Sequence, residues 1–137
     1  DRTEAKMIRY CVEHGIPIIA TCRGMQYINV LYGGKLSYHP ELPVDRPRGK
    51  DHRVHLLTEN RDIYVNNFHQ DVIFEDRLAP CFTPMAIDEE NHVVEAYYSE
   101  KMKLLALQWH PERQFETGEA EEETRRIIVN FIQKYIH

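Results

Sequence analysis

A short apolar and partly β-branched run, Pro17-Ile18-Ile19-Ala20-Thr21, passes through Cys22 into Met25 to Tyr32, a helix-forming stretch stopped by Gly33-Gly34. The run predicts a buried strand and the glycine pair a helix end. Almost nothing is left for the change of direction, so Cys22 falls on a tight strand-turn-helix elbow. Such a turn pushes its side chain out of the sheet and favours small neighbours, here Ala20 and Gly24. It also makes a sulfur reactive: the thiolate is the attacking species, and unpaired N–H groups at a helix N-terminus stabilise negative charge. The Arg23 side chain would add to that field. An isolated free cysteine is usually a small buried hydrophobe. What sets Cys22 apart is the pair His110 and Glu112, far downstream.

That pair supplies what a cysteine nucleophile needs. His110 would take the thiol proton and later return one to a departing nitrogen, while Glu112 would orient and support the imidazole. On an extended segment, residues two apart project to the same side. Pro111 between them fixes φ and cannot join a sheet ladder, which suits a strand end opening into a site.

Three blocks in order carry a family resemblance. Pro17 to Val30 with Gly33-Gly34, containing Cys22-Arg23-Gly24-Met25-Gln26, resembles the nucleophile segment of class I glutamine amidotransferase-like proteins, and more narrowly their γ-glutamyl hydrolase branch. Val65-Asn66-Asn67-Phe68-His69 resembles that family's Val-Asn-Ser-x-His segment, and Leu107-Gln108-Trp109-His110-Pro111-Glu112 its Val-Gln-Trp-His-Pro-Glu segment. The resemblance implies an α/β, flavodoxin-like three-layer fold with a mostly parallel central sheet, of which this chain is the C-terminal portion, one incomplete domain. It implies cysteine-dependent hydrolysis of a γ-glutamyl amide through a glutamyl thioester, with no cofactor. Cys22, His110 and Glu112 would be catalytic, the Arg23 N–H would stabilise the oxyanion, and Gln26, Asn66 and His69 would meet the substrate. For His69 a purely structural hydrogen-bonding role is an equal alternative.

Departures from the pattern leave the departing amine open. Ala20 replaces the elbow glycine, Thr21 the usual apolar neighbour, and Gln70-Asp71 follows His69 where relatives of the aminobutyrate-hydrolase type carry His-Gln. Phe68 and Arg113 resemble the hydrolases of γ-glutamyl nucleotide phosphoramidates. The alternatives are a glutaminase subunit serving a synthetase and a non-catalytic module. The family's N-terminal strands and second oxyanion donor are absent, so the isolated chain is expected to turn over little. A preceding segment, another chain or a second copy would complete it.

The remaining sequence reads as scaffold. Arg2 to His14 predicts a helix, with Asp1 and Glu4 as a capping box, Gly15 as its stop, and Ala5, Ile8, Cys11 and Val12 on one face. Cys11 and Cys81 are expected in packing. Ser37 to Lys50, rich in proline, predicts a loop over the site. His52 and His55 flank Val54, but alternation also describes a strand and no further ligands complete a zinc pattern, so no metal is expected. Phe82 to Ile87 and His92 to Tyr98 predict paired strands, and Leu104 to Trp109 a third. The acidic run from Glu119 to Glu123 suits a helix N-terminus. Beyond it, Ile127, Ile128, Phe131, Ile132, Tyr135 and Ile136 follow helical spacing and should pack on the sheet.

With 137 residues, 42% of them hydrophobic, the chain suffices for one core. A formal charge of −5 with dispersed basic residues argues against nucleic acid and anionic membranes as partners. No apolar run is long enough to cross a bilayer. Three cysteines without framework spacing fit a reducing compartment, and the cytoplasm is the default expectation.

Overall fold

The computed structural model describes residues 2–42 and 48–136. Its helices are α1 (Arg2–Glu13), α2 (Arg23–Leu31) and α3 (Gly118–Tyr135), and its strands β1 (Ile18–Thr21), β2 (Ser37–Tyr38), β3 (His52–Leu56), β4 (Arg61–Val65), β5 (Asp71–Val72), β6 (Thr83–Asp88), β7 (Val93–Ser99) and β8 (Leu104–Leu107). Six strands form one sheet in the order β1-β8-β7-β6-β3-β4, and β2 pairs with β5 in a small ribbon.

The α/β class is as expected, but strand direction needs correction. Only β1 and β8 run parallel, and the other neighbours in the sheet are antiparallel. The cause is connection length: β3 to β4, β6 to β7 and β7 to β8 are joined by tight turns, which can link only antiparallel neighbours. The parallel pair joins segments more than eighty residues apart in the chain, with Ile18 opposite Leu104 and Thr21 opposite Leu107.

Side chains on the sheet alternate into two cores. Val54, Leu56, Ile63, Val65, Leu105 and Leu107 pack under Ile127 and Phe131 of α3. On the other face Ala20, Val94, Tyr97, Leu104 and Ala106 meet Met25 and Ile28 of α2, with Ile8 of α1 at the margin. Strand β8 is buried on both faces, as a sheet covered by helices on both sides requires. Trp109, fully buried just beyond β8, donates its Nε1–H to Thr124 Oγ1 at 3.0 Å and so fixes the end of β8 to α3. Burying such a ring is worth about 2–3 kcal/mol before any hydrogen bond.

α3 begins at Thr117, whose Oγ1 accepts the Ala120 N–H, with Glu119 and Glu121 in its first turn. Part of the acidic run has a further use: Glu123 is held by Arg61 and Arg126, and Arg126 reaches Glu59 at 2.7 Å. The apolar stripe is narrower than its spacing predicts: Ile127, Phe131 and Tyr135 pack on the sheet, while Ile132 and Ile136 beside them are exposed. On α1 only Ala5 is buried, and the capping residue Asp1 lies outside the described residues. Cys11 is half-buried, whereas Cys81 is exposed, contrary to expectation. The reason is a turn in which Phe82 N–H donates to the Ala79 carbonyl, leaving Pro80 and Cys81 at its tip.

The end of α2 depends on an asparagine. Asn29, fully buried, accepts the Ala79 N–H at 2.7 Å and donates to the Lys35 and Arg77 carbonyls. Gly34 packs against that amide so closely that a Cβ would lie 2.2 Å from Asn29 Oδ1. Because three hydrogen bonds hold the amide, it cannot withdraw without leaving buried groups unpaired. Gly34→Ala is therefore expected to lower stability by about 2–3 kcal/mol, read as a lower urea midpoint at unchanged m value; a change below about 0.5 kcal/mol would contradict this packing.

Candidate functional site

Cys22 adopts φ 48° and ψ −106°, a strained conformation for a non-glycine residue. It persists because both flanks are fixed. Cys22 N–H donates to the Leu107 carbonyl at 2.8 Å, extending the β1 and β8 ladder, and the Cys22 carbonyl accepts Gln26 N–H as α2 begins. A Cβ at Gly24 would sit 3.6 Å from Ala20 Cβ, an ordinary contact that depends on residue 20 being small.

The sulfur is buried, and burial pushes its pKa up. The Arg23 N–H, the Arg113 charge and the Gln108 amide pull it back while Glu112 raises it, and burial prevails. Gln108 Nε2 lies 3.7 Å from Sγ, and Gln108 Oε1 accepts from Gln26 Nε2 at 3.2 Å. Gln26 also donates to the Asp71 carbonyl at 3.1 Å. The two buried glutamines thus link the Cys22 sulfur to the residue just past β8 and to β5. Gln26 stood out in the sequence; Gln108 was quoted in a motif without a role, and its position just past β8 is the feature that brings it to Cys22.

His110 and Glu112 meet in a way that corrects the extended-strand expectation. Arg113 N–H donates to the His110 carbonyl at 3.1 Å, closing a β-turn with Pro111 at its second position, where its fixed φ is favourable. The turn brings Glu112 Oε2 to 2.8 Å from His110 Nδ1, leaving Nε2 as the other ring nitrogen. Glu112 is exposed, and its carboxyl is held below the ordinary range: partial burial would raise it, but its own backbone N–H and His110 prevail.

Asn66 acts on the backbone of this turn. Its amide accepts His110 N–H at 3.0 Å and donates to the His110 carbonyl at 2.8 Å, a reciprocal pair that fixes where the imidazole starts. Phe68 meets the His110 ring edge-on at 5.9 Å, and Arg113 lies over the Phe68 face at 4.7 Å.

One cavity brings together Cys22, Arg23, Gln26, Phe68, His69, His110 and Arg113, with Arg48 at its rim. Within it sulfur and imidazole share a wall, although the thiol takes its hydrogen bond from Gln108. His69 is nearly enclosed, with Nδ1 3.1 Å from the Asp71 carbonyl and Nε2 3.5 Å from Glu95 Oε2. His52 faces the other oxygen of Glu95, while His55, on the opposite face of β3, pairs with Asp62 at 2.9 Å. The donor atoms of His52, His69 and Glu95 lie within 4.8 Å of one another, the spacing a cation would need. Sequence reading missed Glu95; its signal is a lone acid in the otherwise uncharged strand from Val93 to Ser99.

Residues 1–112 match the model of the Peptidase C26 family. The chain is 31% identical to the glutamine amidotransferase-like protein YvdE of Lactococcus lactis, covering 95% of this chain and 60% of that protein. It is 27% identical to the γ-glutamyl-CDP-amidate hydrolase of Campylobacter jejuni, over 83% of this chain and 52% of that protein. For the γ-glutamyl-γ-aminobutyrate hydrolase PuuD of Escherichia coli the identity is 28%, over 82% and 52%. The chain thus spans about half to three-fifths of the length of these relatives. A glutamine amidotransferase from Thermotoga maritima superposes with a TM-score of 0.66 at 16% identity, over 97% of this chain and 55% of that one, which supports the fold. With most of its length matched to that family model, this chain belongs to the Peptidase C26 family of class I glutamine amidotransferase-like proteins.

Proposed function

We propose that the protein carrying this chain hydrolyses γ-glutamyl amide bonds, with Cys22 as nucleophile, His110 as acid and base, and Glu112 as the group that orients His110. The observation that supports this best is a strained Cys22 elbow opening into the same cavity as a hydrogen-bonded His110 and Glu112 pair. Membership of a family that includes proteins named as γ-glutamyl hydrolases supports the substrate class.

In this reading His110 Nε2 takes the proton of Cys22 as sulfur attacks the amide carbon. The resulting oxyanion faces the Arg23 N–H at the start of α2. His110 returns the proton to the leaving nitrogen, the C–N bond breaks, and a glutamyl thioester with a free amine remains. Water, deprotonated by the same imidazole, then attacks the thioester and releases glutamate and the thiol. Asn66 fixes the His110 backbone, and Gln26 and Gln108 steady the sulfur. The cationic rim of Arg23, Arg48 and Arg113 favours a leaving group that carries negative charge, which makes a nucleotide amidate a second substrate class to test. Service to a synthetase is the competing reading, recognised by glutamate release that appears only with a partner. No described helix is long and apolar enough to cross a membrane.

In the intact protein, Cys22→Ser is expected to cut glutamate release from γ-glutamyl amides by about 10³-fold or more, and mass spectrometry of the wild type during turnover should find a glutamyl adduct on Cys22. Turnover retained in Cys22→Ser would sink the assignment. Glu112→Gln should lower kcat roughly 10²-fold, with KM little changed.

The raised thiol of Cys22 gives a pH signature that needs no substrate. Burial disfavours the thiolate at both Cys22 and Cys81, but Cys81 is exposed and Cys22 is not, so alkylation by iodoacetamide at pH 8 should label Cys81 before Cys22, and the Cys22 rate should keep climbing above the ordinary thiol value. Peptide mapping after timed labelling checks the order, and faster labelling of Cys22 would show an apo thiolate instead.

A further inference from the structure

A chain of amides whose direction is forced runs from the small ribbon to the sulfur. The Asp71 carbonyl on β5 can only accept, so the Gln26 side-chain atom 3.1 Å from it is the amide nitrogen, Nε2. The same nitrogen lies 3.2 Å from the Gln108 amide, so the Gln108 atom facing it is the acceptor, Oε1. That leaves Gln108 Nε2 facing Cys22 Sγ, 3.7 Å away. One main-chain carbonyl thereby orients two side chains, and reversing either would set like against like. Both amide hydrogens of Gln26 are committed, so the group it has left for a substrate is its oxygen. Gln108 is equally fixed, since it is fully buried and its own backbone N–H donates to the Glu95 carbonyl at 2.8 Å.

Two consequences follow for the sulfur. A thiol that accepts from Gln108 cannot send its own hydrogen the same way, so the proton is turned from Gln108 toward the cavity that Cys22 shares with His110. The contact also changes with charge. A neutral thiol is a weak acceptor and a thiolate a strong one, so the amide holds the sulfur harder once the proton has gone. An interaction that grows along the reaction lowers the barrier, and burial of Gln108 keeps water from competing for its amide. Burial raises the thiol, and the Arg23 N–H and Gln108 are among the groups that oppose it. In the proposed reaction the Arg23 N–H is needed by the oxyanion. Gln108 has no such alternative, because Gln26 fixes its amide.

We propose that Gln108 is a catalytic residue: through Nε2 it donates to Cys22 Sγ, aims the thiol proton into the cavity of His110, and holds the thiolate while the Arg23 N–H serves the oxyanion. Gln26 is the positioning residue that sets which way the Gln108 amide faces. The part played in turnover rests on the hydrolase reading, but the hold on the sulfur is independent of it. The rival view is that Gln108 only fills space behind the elbow. Packing alone would not require two amides aligned head to tail from a carbonyl to the sulfur.

The test follows alkylation of Cys22 by iodoacetamide against pH in the intact protein, with peptide mapping. Gln108→Met keeps the length and bulk of the side chain and removes the donor. It should label Cys22 about tenfold more slowly than the wild type at pH 8, with the two rates converging toward alkaline pH. Gln26→Met should shift the profile the same way by a smaller amount, and kcat for γ-glutamyl amides should fall about tenfold in Gln108→Met with KM little changed. Loosened packing would instead admit the reagent and speed labelling at every pH. If Gln108→Met does not fold, nuclear magnetic resonance of glutamine side-chain amides in the wild type decides: the Gln108 amide should shift as Cys22 ionises and stay still over the same range in Cys22→Ser. An unshifted profile in folded Gln108→Met, faster labelling at every pH, or an amide signal indifferent to the sulfur would each overturn the proposal. A wild type that hydrolyses no γ-glutamyl amide, yet whose Cys22 profile depends on Gln108, would refute the activity and support the inference.

Discussion

The positive φ of Cys22 depends on the hydrogen bond from its own N–H to the Leu107 carbonyl. An isolated cysteine held there would relax at a gain of about 1–3 kcal/mol, so its neighbours must impose the conformation. The parallel pairing of β1 with β8 does so from one side, and the first turn of α2 from the other. Because β8 is also the strand that runs on to Gln108 and His110, one register places the sulfur, its amide partner and the imidazole. A slip by one residue would turn all of them to the wrong face.

That economy explains why the site's support is mostly backbone-directed. Asn66 does not touch the imidazole of His110; it binds the peptide groups that precede and follow it. Gln26 likewise uses its amide on the Asp71 carbonyl and on Gln108. Polar side chains buried in this way have their hydrogen bonds satisfied only in one arrangement of the chain, so they specify geometry more than they add stability. Trp109 and Thr124 serve the same end from the α3 side.

Much of this could be read from the sequence because it is local. The elbow follows from a short apolar run meeting a helix with only Cys22 between, and the contact between His110 and Glu112 follows from their closeness in sequence. What was misread was non-local. The path from His110 to Glu112 is a turn and not an extended segment, because Pro111 is equally suited to both and the choice lies with the Arg113 N–H. Strand direction was misjudged because the family resemblance spoke for a sheet larger than the one these residues form. Glu95 escaped notice because an acid on a strand normally points to solvent, and its inward aim comes from a register shift against β6 that no single strand encodes. Ile132 and Ile136 keep the helical period yet stay exposed, because the helix lays Ile127, Phe131 and Tyr135 on the sheet and turns these two aside.

The electrostatics of the cavity follow from these placements. Enclosure disfavours a thiolate at Cys22, and the groups that oppose it, the Arg23 N–H, Arg113 and Gln108, do not outweigh burial in the empty site. In the proposed reaction the cost of ionising the sulfur would be met by a proton acceptor and a developing oxyanion acting together, which would link thiolate formation to the arrival of a carbonyl. Glu112 is exposed and already ionised, so it can hold the ring of His110 without itself taking up the proton. In that proposal charge would move between two atoms, sulfur and Nε2, while the surrounding amides and guanidinium groups stay fixed. Burial of the Cys22 thiol also disfavours adventitious oxidation and alkylation, since both proceed chiefly through the thiolate.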